Sequence, residues 1–441
     1  MERLTQCSTP ARYLEPTPGG VCRHRPNEGI MANLFAGLPL GLSQGRWITR
    51  DRMVAYPAMM LVLTVAATVF VLWSNGGVMP NGAPFGTDFV SYWVAAREAL
   101  AGNPLVPYDR ALFEPAQRAL FPDAGYFAFF YPPHFLAYML PIGALPFYAA
   151  LGAWMAVSFG ACLWVLSRIS GNAVQTLVLA LAFPAAFLTI AHGQNAFLSA
   201  ALFGGGLALL PKRPVLAGIL FGLLTYKPQL GLLIPLALLA AGQWRAIAAA
   251  GATLGLLVAG SALLLGPQVW IAFLAQSDQA MEALTLGLVG WQKMISAYAG
   301  LRLSGVPDGA AMAAHAALAI AVAASIVWAW LPQNGIAHET KAALLLTGAL
   351  IATPFGLNYD LYLLAPALAF VAARGLAAGF LPYEKTVMAI AFAAPFLLLV
   401  AMSARFPMAP VLVLAVFALA LRRAWCEHAD HAPESAIQPA E

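Results

Sequence analysis

The stretch Gly86-Thr87-Asp88-Phe89-Val90-Ser91-Tyr92-Trp93 follows the first membrane-length apolar run, and in it a carboxylate first appears among aromatics. The preceding run, residues 53–73, has about twenty apolar residues, the length a helix needs to cross a bilayer. A helix is predicted to begin near Thr87–Asp88 and to stop at Gly102-Asn103-Pro104. On it Phe89, Trp93, Ala96 and Leu100 form an apolar stripe suited to lying on the membrane surface. Asp88 and Tyr92, four residues apart, share another face. Asp88 has two compatible readings: a cap on this helix, or a reactive carboxylate working just outside the bilayer. Asp109, after Pro107-Tyr108, reads as a turn or cap residue.

Composition supports a membrane setting. The chain is 61% hydrophobic and 10% charged over 441 residues, whereas soluble domains average about a quarter charged. Such a chain cannot cover a water-facing surface, and it suits an all-α polytopic membrane protein. The net charge of +4 follows from Lys and Arg in loops flanking the spans and calls for no nucleic acid. The four cysteines lack metal-ligand spacing.

Residues 1–48 are rich in Pro, Gly and Arg and contain no spanning run. They read either as a disordered cytoplasmic tail or as sequence upstream of a true start at Met31. Arg46, Arg50 and Arg52 precede the first span, and no basic residue follows until Arg97. The positive-inside tendency puts the N-terminus in the cytoplasm and residues 74–130 outside.

Beyond this outer segment, apolar runs alternate with small polar breaks. Tyr131-Pro132-Pro133-His134 opens two runs, 133–146 and 147–167; prolines suit the first turn of a helix. His192-Gly193-Gln194-Asn195 separates 174–191 from 195–210. Thr225-Tyr226-Lys227-Pro228-Gln229 separates 214–226 from 228–242. Polar groups inside apolar helices are costly unless they face protein or a watery cavity. The first break reads as an interfacial loop or a site. Lys227 reads as a snorkelling cation or a phosphate anchor. Arg168, Lys212, Arg213 and Arg245 suggest cytoplasmic ends, yet counting 133–146 and 147–167 as two full crossings reverses the sides. Either a short run is re-entrant or the charge rule fails locally.

After a span at 246–265, the interval 266–306 is long enough for helices lying on the membrane, and it carries Lys293, a further phosphate-contact candidate. Spans follow near 309–331, 342–356, 361–380, 386–402 and 408–421. Asn358-Tyr359-Asp360 interrupts them; Asp360 reads as a cap or a site residue. The total is about 10–12 crossings in a domain at 49–423, with a disordered, cytoplasmic tail at 424–441. Nucleotide-binding glycine loops, zinc motifs and nucleophile elbows are absent from the sequence.

Asp88-Phe89, Tyr92-Trp93, Ala95-Ala96, Tyr131-Pro132-Pro133, Gly193-Gln194-Asn195 and Lys227-Pro228-Gln229, in this order, resemble glycosyltransferase family 87. That family includes polyprenyl-phosphate-mannose-dependent mannosyltransferases of bacterial envelopes. The likeness runs from about 50 to 422. It implies a C-type membrane glycosyltransferase fold with external juxtamembrane helices, in the bacterial plasma membrane. Asp88 matches the catalytic acid of the first external loop, and Tyr92 a nearby site residue. One departure concerns the late break: family members can carry a His where this chain has Asn358-Tyr359-Asp360.

The implied reaction moves a mannose-like hexose from a polyprenyl monophosphate to a hydroxyl of a glycolipid or glycan, outside the membrane. Asp88 is the expected base, and the anomeric configuration inverts. Tyr92, Trp93, His192, Gln194, Asn195, Lys227, Gln229, Lys293, Asn358 and Asp360 are the expected substrate contacts. No metal and no cofactor beyond the lipid-linked donor are expected. A transporter or lipid flippase is the rival reading, since intramembrane Lys and Asp with broken helices fit that class too.

Overall fold

A computed structural model describes residues 40–76, 78–79 and 84–431. Most of the tail expected over 1–48, and the end of that expected over 424–441, lie outside the described residues. The described chain is built of helices, and no strand occurs among the described residues. Two isolated bridges, Val78 with Pro84 and Met294 with Leu357, are its only extended pairings.

After a single helical turn at Leu40–Ser43, the first long helix, α1 (Arg50–Ser74), is followed by α2 (Phe89–Leu100), α3 (Arg110–Leu120), α4 (Pro133–Gly143) and α5 (Phe147–Ser170). Two short helices, α6 (Ala173–Ala182) and α7 (Pro184–His192), meet at a 65° bend. Next come α8 (Ala196–Leu209), α9 (Pro214–Leu223), α10 (Ile234–Ala240) and α11 (Trp244–Leu265). The later chain holds α12 (Gln268–Ala275), α13 (Ser277–Thr285), α14 (Ala297–Leu303), α15 (Asp308–Trp330) and α16 (His338–Ala352). It ends with α17 (Leu364–Ala378), α18 (Glu384–Ala393) and α19 (Met408–His431).

Local sequence explains many of these ends. Pro133, Pro184 and Pro214 each open a helix, where a missing N–H costs nothing. The Thr49 side chain accepts from Arg52 N to cap α1, and Asp109 accepts from Ala111 N to cap α3, as its spacing predicts. Gly171 and Gly193 close α5 and α7 in left-handed conformations, φ 75° and 65°.

Among the described residues, six helices are long and apolar enough to cross a membrane, or seven if the bent α6–α7 pair counts as one. This is fewer than the 10–12 expected. Several apolar runs are covered by short helices such as α8, α9 and α10, which stop where polar residues interrupt them. The topological conflict also resolves. At 11 residues, α4 is about 16 Å long, too short for a hydrocarbon core of about 30 Å. Of that pair only α5 is long enough to cross, and the contacts of Val165 with Gly204 and Gly205 and of Gly218 with Ala246 bring Arg168, Lys212, Arg213 and Arg245 to one end. The final helix runs to His431, so residues 424–431 belong to α19 rather than to a tail.

Close packing depends on small residues. Gly218 and Gly222, one turn apart on α9, face Ala246, Ala249, Ala250 and Thr253 of α11. A Cβ at Gly218 would lie 2.3 Å from the Ala246 carbonyl oxygen. Such small-residue faces let helices approach where lipid supplies no hydrophobic drive. By contrast, α1 rests mainly on α6 and otherwise exposes Val62, Phe70 and Trp73. α16 is the central helix, buried almost continuously from Thr340 to Ala352.

The apolar stripe of α2 differs from its expected surface role. Phe89, Trp93 and Ala96 are buried against protein, and only Leu100 is exposed. α2 packs on α4, where Gly143 leaves room for Ala96. The helix is therefore wedged into the bundle, and its polar side chains are fixed by protein contacts.

The end of the bundle that carries the α19 C-terminus is held by buried charge. Arg423 is 2% exposed and grips Glu384, which is 0% exposed, through two hydrogen bonds. The Arg374 guanidinium bonds Glu427, which also accepts from Ala337 N and Thr340. Trp47 bonds Thr386, bringing the residues before α1 to this same end. Removing one partner of a buried pair strands a charge and costs about 3–5 kcal/mol, whereas an exposed pair contributes about 1 kcal/mol or less. Arg423→Ala is expected to lower the melting temperature in detergent sharply, and Arg110→Ala, at the exposed pair with Glu114, to leave it nearly unchanged. Equal melting of Arg423→Ala and wild type would contradict this role.

Candidate active site

Four polar segments that are distant in sequence meet at the opposite end of α17 and α19. The loop before α2 is stitched to the end of α7 by two backbone bonds, Gly86 N to Ala191 O and Asp88 N to His192 O. Gly193 makes this approach possible. It has φ 65°, and a Cβ there would sit 2.5 Å from Phe89 Cβ.

Asp88 occupies the N-cap position of α2, but its side chain makes no cap hydrogen bond. Its carboxylate turns toward the His192–Asn195 break. Gln194 Nε2 donates to Asp88 Oδ2 at 2.7 Å, and Thr87 Oγ1 donates to Oδ1 at 3.3 Å. His192 Nδ1 lies 3.8 Å from Oδ1 and 2.7 Å from Thr87 Oγ1. The Asp88 and His192 side chains keep 28% and 30% exposure, so this corner opens outward. The carboxylate is held from behind and is accessible in front.

Behind it lies a buried hydrogen-bonded cluster. Tyr92 Oη donates to Gln194 Oε1 at 2.5 Å and lies 2.8 Å from Tyr131 Oη. Asn195 Nδ2 donates to Tyr92 Oη at 3.1 Å and to Tyr131 Oη at 3.0 Å. Burial pushes the Tyr92 and Tyr131 phenols well above their ordinary range, so both stay protonated.

The two later breaks complete the site. Lys227 Nζ bonds Asp360 Oδ1 at 2.5 Å, with both side chains nearly fully buried. Asp360 Oδ2 accepts from Leu357 N, and Lys227 also faces the Tyr359 ring at 5.1 Å. The Tyr359 ring in turn lies 6.4 Å from that of His192. Asn358 Nδ2 reaches Met402 Sδ at 3.7 Å. Lys293 is exposed, on a segment paired to the third break through Met294 and Leu357.

Asp88, Tyr92, His192, Gln194 and Asn195 form one contact network, and the Lys227–Asp360 pair adjoins it through Tyr359. Three expectations change. Lys227 is paired with Asp360 and buried, the setting of an internal tie, and a phosphate anchor there would have to share or leave that pair. Trp93 donates its indole N–H to Leu145 O and packs on Phe121 and Phe147, which makes it part of the framework. Gln229 is half-buried, and among the described residues no hydrogen bond joins it to the cluster. Tyr131, Tyr359 and Thr87 contact the cluster, and the sequence reading left them out of its set of contacts. All three stand inside quoted stretches, and their value lies in hydroxyl and ring positions that spacing alone does not reveal. Among the described residues, no group of three or more His, Cys, Asp or Glu is placed to hold a metal ion.

The two roles of Lys227 are separable by experiment. As an internal tie, Lys227→Met leaves Asp360 unpaired and costs about 3–5 kcal/mol, while Lys227→Met with Asp360→Leu recovers much of that loss. Thermal melting of both variants checks this. A single variant as stable as wild type would return Lys227 to the anchor role.

Comparison with known proteins finds the family that the motifs resemble. The family model of glycosyltransferase family 87 matches residues 129–354, a narrower range than the 50–422 expected. No curated protein and no solved structure matches the chain. Asp88 and Asp360 fall outside the matched range; contacts with Gln194 and Lys227 tie them to it. The matched length exceeds half of the chain and carries Tyr131, Gln194, Asn195 and Lys227, and the chain belongs to glycosyltransferase family 87.

Proposed function

We propose that this membrane glycosyltransferase moves a hexose, mannose-like in class, from a polyprenyl monophosphate to a hydroxyl of a glycolipid or glycan. The observation that carries the reading is the Asp88 carboxylate. It sits at a helix start without capping it, is held by Gln194 and Thr87, and its side chain keeps 28% exposure.

In the proposed reaction Asp88 is the general base. The acceptor oxygen forms a bond to the anomeric carbon as Asp88 takes its proton. The bond from that carbon to the phosphate oxygen breaks, and the lipid phosphate leaves with the electron pair. One displacement inverts the anomeric configuration. A positioned base contributes roughly 10²–10⁴-fold in rate. The leaving phosphate is already a stable anion, so a nearby donor or cation suffices to hold it. His192, partly exposed beside Asp88, and exposed Lys293 are the groups for this task, since Lys227 is engaged with Asp360. No cofactor beyond the lipid-linked donor is assigned, and no metal.

The orientation belongs to the same proposal. Arg168, Lys212, Arg213, Arg245 and Arg423 lie at the end away from Asp88. The positive-inside tendency makes that end cytoplasmic, with both chain termini, and puts the site on the outer face of a bacterial plasma membrane. A lipid-borne donor explains why a bundle facing lipid builds this site. The family match gives no support to the transporter reading.

Purified protein in lipid nanodiscs, given a radiolabelled polyprenyl-phosphate hexose and a membrane lipid extract, provides the test. Wild type is expected to transfer label and Asp88→Asn to lose at least about 100-fold of the rate. NMR of the product is expected to show the inverted anomer. Equal rates in the two proteins, or a retained anomer, would reject the mechanism.

A further inference from the structure

We propose that Gln194 is a positioning residue for Asp88, and that Tyr92 and Tyr131 act on the carboxylate only through the Gln194 amide. The inference builds on the reading of Asp88 as the base. It starts from an accounting of protons. Tyr92 has one hydroxyl proton and donates it to Gln194 Oε1, which lies 2.5 Å from Tyr92 Oη. With that proton committed, the 2.8 Å contact between the phenols requires Tyr131 to donate to Tyr92. The Asn195 amide nitrogen donates toward both phenol oxygens, at 3.1 Å and 3.0 Å. Each proton in the set then has one acceptor.

The order of donation has one direction: Asn195 to Tyr131, Tyr131 to Tyr92, Tyr92 to Gln194, Gln194 to Asp88. The amide of Gln194 is the only link that touches the carboxylate. Turned over, it would set Gln194 Oε1 against Asp88 Oδ2, acceptor facing acceptor. Tyr92, together with the Asn195 backbone N–H at 3.4 Å, holds the carbonyl side against this. The chain is buried where it is set: Tyr92 is 1% exposed, Gln194 4% and Asn195 0%. Asn195 Oδ1 is buried without a partner, so that amide is oriented by its donors alone.

The result is a carboxylate with distinct oxygens. Oδ2 accepts from Gln194, and Oδ1 accepts from Thr87 and lies 3.8 Å from His192, in a side chain that keeps 28% exposure. A base with one oxygen pinned presents the other in a fixed direction. Small losses of such alignment cost rate more than binding, on the order of 100-fold for a displacement of about 1 Å.

Transfer kinetics with a polyprenyl-phosphate hexose in nanodiscs test the relay. Gln194→Met and Tyr92→Phe are each expected to lower kcat by about 10- to 100-fold with KM little changed. The double variant is expected to fall no further than Gln194→Met alone, because Tyr92 acts through Gln194. Losses that multiply in the double variant overturn the proposal. A second readout needs no substrate: the Asp88 carboxylate band in the infrared difference between wild type and Asp88→Asn. The relay shifts this band in both Gln194→Met and Tyr92→Phe, each purified as monodisperse protein. A band unmoved by Tyr92→Phe overturns the relay whatever the kinetics show. A shifted band together with no transfer by wild type supports the relay and counts against the base role of Asp88.

Discussion

A polar group that interrupts an apolar helix needs a partner from the protein, because lipid supplies none. This chain has several such interruptions, and they satisfy one another. The Lys227 ammonium meets the Asp360 carboxylate. Gln194 and Asn195 meet Tyr92 and Tyr131. The backbone after Gly86 meets the last carbonyls of α7. Each pairing joins segments distant in sequence, so one energetic requirement draws the polar residues to one end of the bundle. The site is the place where these helices break and the breaks are matched.

Within that site the pairings differ in kind. Lys227 and Asp360 are sealed together at nearly zero exposure, and such a pair fixes geometry more than it adds stability. Asp88 and His192 remain partly open. The cluster between them carries an unsatisfied Asn195 Oδ1, a burial that costs about 1–3 kcal/mol. A chain selected for stability alone would remove that cost. Keeping it orients two tyrosines, and through them the amide behind Asp88. At the other end, Glu384 and Arg423 are fully matched and buried, which suits a structural clamp.

Much of this was legible in the sequence. Helical class and membrane setting followed from composition and run length, and polar breaks at 192–195, 225–229 and 358–360 stood out against apolar flanks. Asp88 was marked by its position after the first span. Length was harder to judge, because an apolar run looks alike whether one long helix or two short ones cover it. The bend at Phe183 and the shortness of α4 both reduced the number of crossings. Pairing was invisible: nothing near Lys227 in the chain announces Asp360, 133 residues away. Trp93 and Tyr92 are neighbours in sequence, yet one joins the framework and the other the cluster. Their difference lies in which helix each meets, and a single helical stripe does not specify that. The free carboxylate of Asp88 likewise depends on Gln194 reaching it across 106 positions.

The central claim is that the uncapped carboxylate of Asp88, held from behind by Gln194, faces the reacting carbon of a lipid-linked sugar. A cryo-electron microscopy structure of the protein in nanodiscs with a non-transferable polyprenyl-phosphonate hexose tests this most directly. The account predicts the sugar in the corner between Asp88 and His192, its anomeric carbon on the Oδ1 side, and the Gln194 bond to Oδ2 intact. A sugar bound elsewhere, or an Asp88 side chain turned back to cap α2 in the complex, would contradict it.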